Sequence, residues 1–220
     1  MPSHVSLLST AVAATLSVVA IEDPQLNRRE RKSLRTRRQI VRAASELVLE
    51  VGYERATITR IAERADLATR TVTTRFPSKE EIFFEGIEDA VARAEEHLRG
   101  EAGDAIDRLG AWIADESVRA QQDPEDPEIR LLRSRAIARD PDLRALLVNH
   151  FNRAHDAIAR AVATDTGLAA DAAGPQMIGA AAIAMLEVVE RLAAEQSEQA
   201  SAELDRGFIL LRGAMSALAQ

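Results

Sequence analysis

Thr57-Ile58-Thr59-Arg60-Ile61-Ala62-Glu63-Arg64-Ala65-Asp66-Leu67-Ala68-Thr69-Arg70-Thr71-Val72-Thr73-Thr74-Arg75-Phe76-Pro77-Ser78-Lys79 decides the fold. Thr57 can cap a short helix to about Ala65, with Ile58, Ile61 and Ala62 turned inward. Asp66 and Leu67 then make a turn, a second short helix runs from about Ala68 to Phe76, and Pro77 stops it. Val72 and Phe76, four residues apart, give that helix its buried side. Thr69, Arg70, Thr71, Thr73, Thr74 and Arg75 leave the other side polar and rich in hydrogen-bond donors. No acidic residue lies between Leu67 and Lys79. A solvated surface helix usually mixes charge signs; this one does not.

Upstream, Ser33 to Val51 reads as a helix with Ile40, Ala44, Leu47 and Val51 on one face. Gly52 is placed to end it in a left-handed conformation, with Tyr53 packing back on the last turn. Downstream, Ser78 and Glu81 form a capping box. It opens a helix whose apolar stripe is Phe83, Ile87, Val91, Ala94 and Leu98, ending at Gly100. Further helices follow over 105–122 and 128–139, from Asp140-Pro141 to about Thr164, and over roughly 175–195 and 198–219. No segment alternates like a strand. The expectation is an all-α protein of nine helices, besides an apolar N-terminal segment. That segment, Val5 to Ile21, carries five hydroxyl residues and lacks the preceding basic cluster of a signal peptide. It reads as an upstream start or a loose extra helix rather than a membrane span.

The net charge of −7 conceals an asymmetry. From Arg28 to Lys79 there are 14 Lys and Arg against 6 Asp and Glu, while the residues after Lys79 are strongly acidic. A basic segment joined to an acidic remainder points to nucleic acid at one end. Three short helices in about 45 residues, with a tight turn before the third, form a helix-turn-helix, whose third helix lies in the major groove. The absence of cysteine excludes disulfides, thiolate zinc sites and thiol catalysis, and suits a cytoplasmic, nucleoid-associated protein. No nucleotide-binding, nucleophile-elbow or zinc-protease motif is present, so neither an enzyme, a metal site nor a cofactor is expected.

Thr36-Arg37-Arg38-Gln39-Ile40, Ala43-Ala44, Gly52-Tyr53, Thr57, Ile61-Ala62 and Phe76-Pro77-Ser78-Lys79-Glu80 resemble the N-terminal domain of the TetR family of regulators over about 35–84. The resemblance implies a homodimer on a palindromic operator, repressing until a small-molecule effector binds the C-terminal domain. It implies that Thr57 and Lys79 grip phosphate and that the exposed face of 69–75 meets the bases. The full candidate DNA-binding set is Arg35, Arg37, Thr57, Thr59, Arg60, Thr69, Arg70, Thr71, Thr73, Thr74, Arg75 and Lys79. The sequence departs from the family at Asp66, where the turn usually has Gly, and at Ala68, where Ser often caps; the cap is expected to move to Thr69. Thr73 and Arg75 replace a common Tyr and His. These departures raise an alternative: a small-molecule binding or interaction protein of TetR-like fold without specific DNA binding.

The basic run Arg28, Arg29, Arg31, Lys32, Arg35, Arg37, Arg38 is either an arm on the DNA backbone or minor groove, or a solvated tail. Domains are expected at 1–27 (N-terminal extension), 28–80 (DNA-binding) and 81–220 (ligand-binding and dimerisation). Ile178, Ala182, Met185, Val189 and Leu192 repeat at four-and-three spacing, as do Leu204, Phe208, Leu211, Met215 and Leu218. These two seams suit a four-helix dimer interface, with intramolecular core as the other reading. Trp112, Arg133, Phe151, His155, Met177 and Met185 are the candidates for lining an effector pocket.

Overall fold

Asn27 starts the first helix earlier than the apolar periodicity indicates. Its side chain accepts from the amides of Arg29 and Glu30, and the Glu30 carboxylate accepts from the Asn27 amide at 2.9 Å. This capping box satisfies N–H groups that a helix start otherwise leaves unpaired. The polar first turns carry no hydrophobic signal, so apolar periodicity does not register before Ser33.

The computed structural model describes residues 27–122, 126–195 and 199–218; the apolar stretch from Val5 to Ile21 lies outside them. Ten helices are found among the described residues: α1 (Arg28–Val51), α2 (Ile58–Arg64), α3 (Thr69–Arg75), α4 (Glu81–Phe84), α5 (Ile87–Arg99), α6 (Ala105–Gln122), α7 (Pro127–Arg139), α8 (Pro141–Thr166), α9 (Ala173–Ala194) and α10 (Gln199–Leu218). No strand occurs among them, and the all-α expectation holds. The extra helix comes from a break in the stretch expected to run unbroken from Glu81. Ser78 Oγ does accept from the Glu81 amide at 3.2 Å. Gly86 then takes φ +84°, a left-handed conformation that glycine adopts without a Cβ penalty, so α4 ends after four residues.

The described chain forms two compact units. One holds the described residues of Val18–Glu85 with Asp123–Leu147; the other holds Gly86–Gln122 with Val148–Gln220. In the first, Ile40, Val41, Ala44 and Leu47 of α1 are buried with Ile61 of α2, Val72 of α3, Phe76, and Ile82 and Phe83 of α4. Each of these side chains larger than alanine contributes about 1.5–3 kcal/mol of burial. Helix α7 packs along α1 in this same unit, and Arg42 pairs with Glu128 at 3.2 Å. The sequence boundary at 80/81 did not anticipate this, because α7 is separated from α1 by more than 70 residues of chain.

In the second unit, α9 and α10 pack extensively together and α5 lies against α6. Ile106, Leu109 and Trp112 of α6 are buried, as are Phe151, Ile158 and Val162 of α8 and Leu204, Phe208 and Leu211 of α10. Two glycines allow close helix approach. A Cβ at Gly179 would stand 3.0 Å from the His155 carbonyl, and one at Gly207 only 2.4 Å from Met185 Cγ.

Candidate nucleic-acid interface

Helix α2 begins at Thr57, whose hydroxyl accepts from the Arg60 amide at 3.3 Å, so the capping expectation holds. Its end is shaped by the turn. Asp66 has φ +53°, alone among the described non-glycine residues in being positive, and the Leu67 amide returns to the Ala62 carbonyl at 3.0 Å. Aspartate tolerates this left-handed conformation better than most side chains. Helix α3 starts at Thr69 behind Ala68, which occupies the capping position with no side-chain hydrogen bond. The cap does not move to Thr69 as expected, because Thr69 already lies within the helix. That leaves the amides at the start of α3 without a side-chain acceptor from Ala68.

Val72 and Phe76 are fully buried, as their spacing predicts, while Thr69, Arg70, Thr71, Thr73 and Thr74 are exposed. Thr73 also bonds back to the Arg70 carbonyl at 3.3 Å. Thr59 and Arg60 are exposed on α2, and the Arg60 guanidinium donates to the Arg55 carbonyl at 2.8 Å. Arg35 is exposed on α1. The other two arginines of the candidate set share one acid. Glu85 takes Arg37 Nε at 2.7 Å on one carboxylate oxygen and Arg75 Nη2 at 3.1 Å on the other. Arg75 also lies over the Phe76 ring, 5.0 Å from its centroid.

Lys79 is held rather than free. Its ammonium donates to the Tyr53 carbonyl at 2.8 Å and sits 3.7 Å from the centroid of the Tyr53 ring. Burial pushes Lys79 below the ordinary lysine range, against the nearby charges of Glu54, Asp140 and Asp142; burial also raises the Tyr53 phenol. Tyr53 in turn is edge-on to Phe83, with ring centroids 5.9 Å apart, and its amide donates to Asp140 Oδ2 at 2.8 Å. Asp140 is buried and also caps α8, its Oδ1 accepting from the amides of Asp142 and Leu143 at 3.0 and 3.1 Å. Sequence reading found the cap. It missed the link to Tyr53, 87 residues away, and Glu85 altogether, for neither has a local signature.

The second unit treats its candidates differently. Trp112 is buried with its indole N–H on the Ala90 carbonyl at 3.2 Å, and Phe151 and Met185 are buried. His155 packs against Gly179 and faces the Gln176 carbonyl at 3.3 Å. Met177 is 71% exposed and lines no interior surface. Arg133 is half-buried in the other unit, apart from these five. None of the six lines the cavity of about 660 Å³ bounded by Leu98, Gly100, Arg108, Ala157, Arg160 and Asp165. The seams on α9 and α10 are likewise turned inward. Ile178, Ala182, Met185, Val189, Leu204, Phe208, Leu211 and Met215 are buried within this one chain, and Leu192 and Leu218 are half-buried. Heptad spacing marks an apolar face without saying which helix covers it, and here neighbours in the same chain do.

Among the described residues no helix is long and apolar enough to cross a membrane, and no cluster of metal-ligating side chains occurs. A model of bacterial regulatory proteins of the tetR family matches residues 40–85, and one of the MftR C-terminal domain matches 113–216. The chain belongs to the TetR family. Over 54 residues it is 48% identical to the HTH-type transcriptional regulator TcmR of Streptomyces glaucescens, a match covering 24% of each chain. The match therefore spans about a quarter of that relative. GusR of Salmonella enterica aligns over 83% of this chain and 96% of its own, at 23% identity and a TM-score of 0.47. The TetR arrangement comprises an N-terminal helix-turn-helix domain and a C-terminal helical domain.

Proposed function

We propose that this TetR-family chain is a transcriptional regulator that reads a palindromic DNA operator through α3 as a homodimer, repressing until a small-molecule effector releases it. The observation that carries the reading is the exposed, acid-free face of Thr69, Arg70, Thr71, Thr73 and Thr74, seated on fully buried Val72 and Phe76. Such a face offers donors to base edges while its underside stays fixed. Lys79 and Thr57 serve phosphate.

For the dimer, the exposed apolar residues of α9 and α10 support a contact surface outside the heptad seams. Met177, Val188, Ile209 and Leu210 are 71, 39, 65 and 74% exposed, an unusual share of large apolar side chains left in water on two adjacent helices. For the effector, the cavity beside Arg108 is the best-supported chamber. That guanidinium is buried, engages the Gly103 carbonyl and Asp165, and has an Nε without a partner among the described residues. An effector bearing a hydrogen-bond acceptor would fit there.

The test is selection of operator sequences from random DNA by the full chain, followed by retardation across a salt series. A binder making about six phosphate contacts loses roughly a thousandfold in affinity between 50 and 200 mM salt. Absence of any retained sequence at low salt would leave the alternative, a binding protein that does not read DNA.

A further inference from the structure

We infer that the first two turns of α1 form a rigid basic spur that binds duplex phosphates flanking the operator half-site, outside the groove occupied by α3. The inference rests on the DNA-reading function proposed above. Arg28 to Arg38 contains seven basic residues and one acid, and every residue from Arg28 to Ser33 is exposed. These six residues are solvent-exposed, whereas the later turns of the same helix, from Ile40 on, are held in the core. The single acid, Glu30, is committed to the capping box with Asn27, so it fixes where the spur begins. A solvated tail would need no such start.

The spur is also placed. Arg37 is joined through Glu85 to Arg75, at the C-terminal end of the recognition helix. From Arg37 back to Arg28 is nine residues of helix, about 14 Å at 1.5 Å per residue. Positive charge therefore continues outward along one helix for that distance from the residue paired, through Glu85, with the end of α3. Because the cations ride on a preformed helix, less conformational freedom is lost on binding than for a disordered arm.

The test uses the full chain carrying Arg28→Gln, Arg29→Gln and Lys32→Gln together, since glutamine keeps helix propensity. Circular dichroism should be unchanged. Against the operator selected by the unsubstituted protein, the slope of log affinity on log salt should fall by about 2.7 per protomer, with outer phosphates losing hydroxyl-radical protection. Preferred bases should stay the same. An unchanged slope and footprint would overturn the spur while leaving DNA reading intact. Failure of the unsubstituted protein to bind any duplex would overturn both, so the two failures are distinguishable. Equal weakening toward anionic vesicles and DNA, with no change in footprint, would also reject it.

Discussion

Lys79 and Tyr53 form one unit: the ammonium rests 3.7 Å from the ring centroid and donates to that residue's own carbonyl at 2.8 Å. The contact ties the start of the α4 segment to the α1–α2 turn. A cation so fixed meets a phosphate without first losing its rotamer freedom. Lys79→Ala should weaken binding to every DNA sequence about tenfold. Tyr53→Leu, which keeps the charge but removes its seat, should cause a smaller uniform loss. Arg70→Ala should instead flatten the preference between bases. If all three lowered affinity uniformly, α3 would not be the base reader; binding curves on the selected operator and a scrambled duplex decide this.

Asp140 joins two elements through one buried carboxylate. Asp140→Ala removes the α8 cap and strands the Tyr53 amide, and should cost about 2–3 kcal/mol in urea unfolding. Asp140→Ser restores capping but not the Tyr53 link, so roughly 1 kcal/mol should return. Full recovery in the serine variant would show that the Tyr53 bond is energetically idle.

The turn before α3 is open to improvement. Ala68→Ser supplies the missing cap and should stabilise the protein by about 1 kcal/mol. Asp66→Gly relieves the positive φ and should add a few tenths to about 1 kcal/mol. Thermal unfolding of both variants provides the check; a destabilising serine would mean that the Ala68 site has no room for its hydroxyl.

Faces that look alike in sequence should respond oppositely. Phe208→Ala, in the interior, should destabilise by about 3–5 kcal/mol. Ile209→Glu with Leu210→Glu should leave the fold intact and convert the proposed dimer to a monomer in sedimentation analysis. A doubly substituted protein that stays dimeric would place the contact elsewhere.

Acid should loosen the second unit at one identifiable pair. The His150 hydrogen bond, with Arg153 assisting, holds the Glu88 carboxyl below the ordinary carboxylate range. A depressed native pKa stabilises the fold above the unfolded value, about 4.3, and that contribution disappears as pH falls through the native value. Glu88 is largely exposed and solvent screens the pair, so the effect is about 0.5 kcal/mol. His150→Gln should therefore unfold slightly sooner than the unsubstituted protein at pH 5, with the gap closing near pH 3.

Much of this was legible in the chain. Thr57, Val72 and Phe76 announce the reading head because capping and helical spacing are local signals, and Gly86 shows in hindsight where Glu81 could not continue. The inward turn of Phe208 and the outward turn of Ile209 were not legible. Periodicity reports that a face is apolar, whereas tertiary packing decides what lies against it. The same limit hid Glu85, whose two arginines come from 48 residues upstream on α1 and from the end of α3. It also misplaced Met177, an adaptable side chain that reads as pocket lining yet stands in water.

Glu85 has one more consequence. With a carboxylate already seated on Arg75, DNA bound as proposed would gain from that arginine only the difference between a phosphate and the resident acid. The loss is the same for every sequence, so it subtracts from indiscriminate attraction to the polyanion and leaves base contacts untouched. An internal competitor of this kind weakens the grip on right and wrong stretches of a duplex alike, and so leaves the whole of the preference between them to the base contacts.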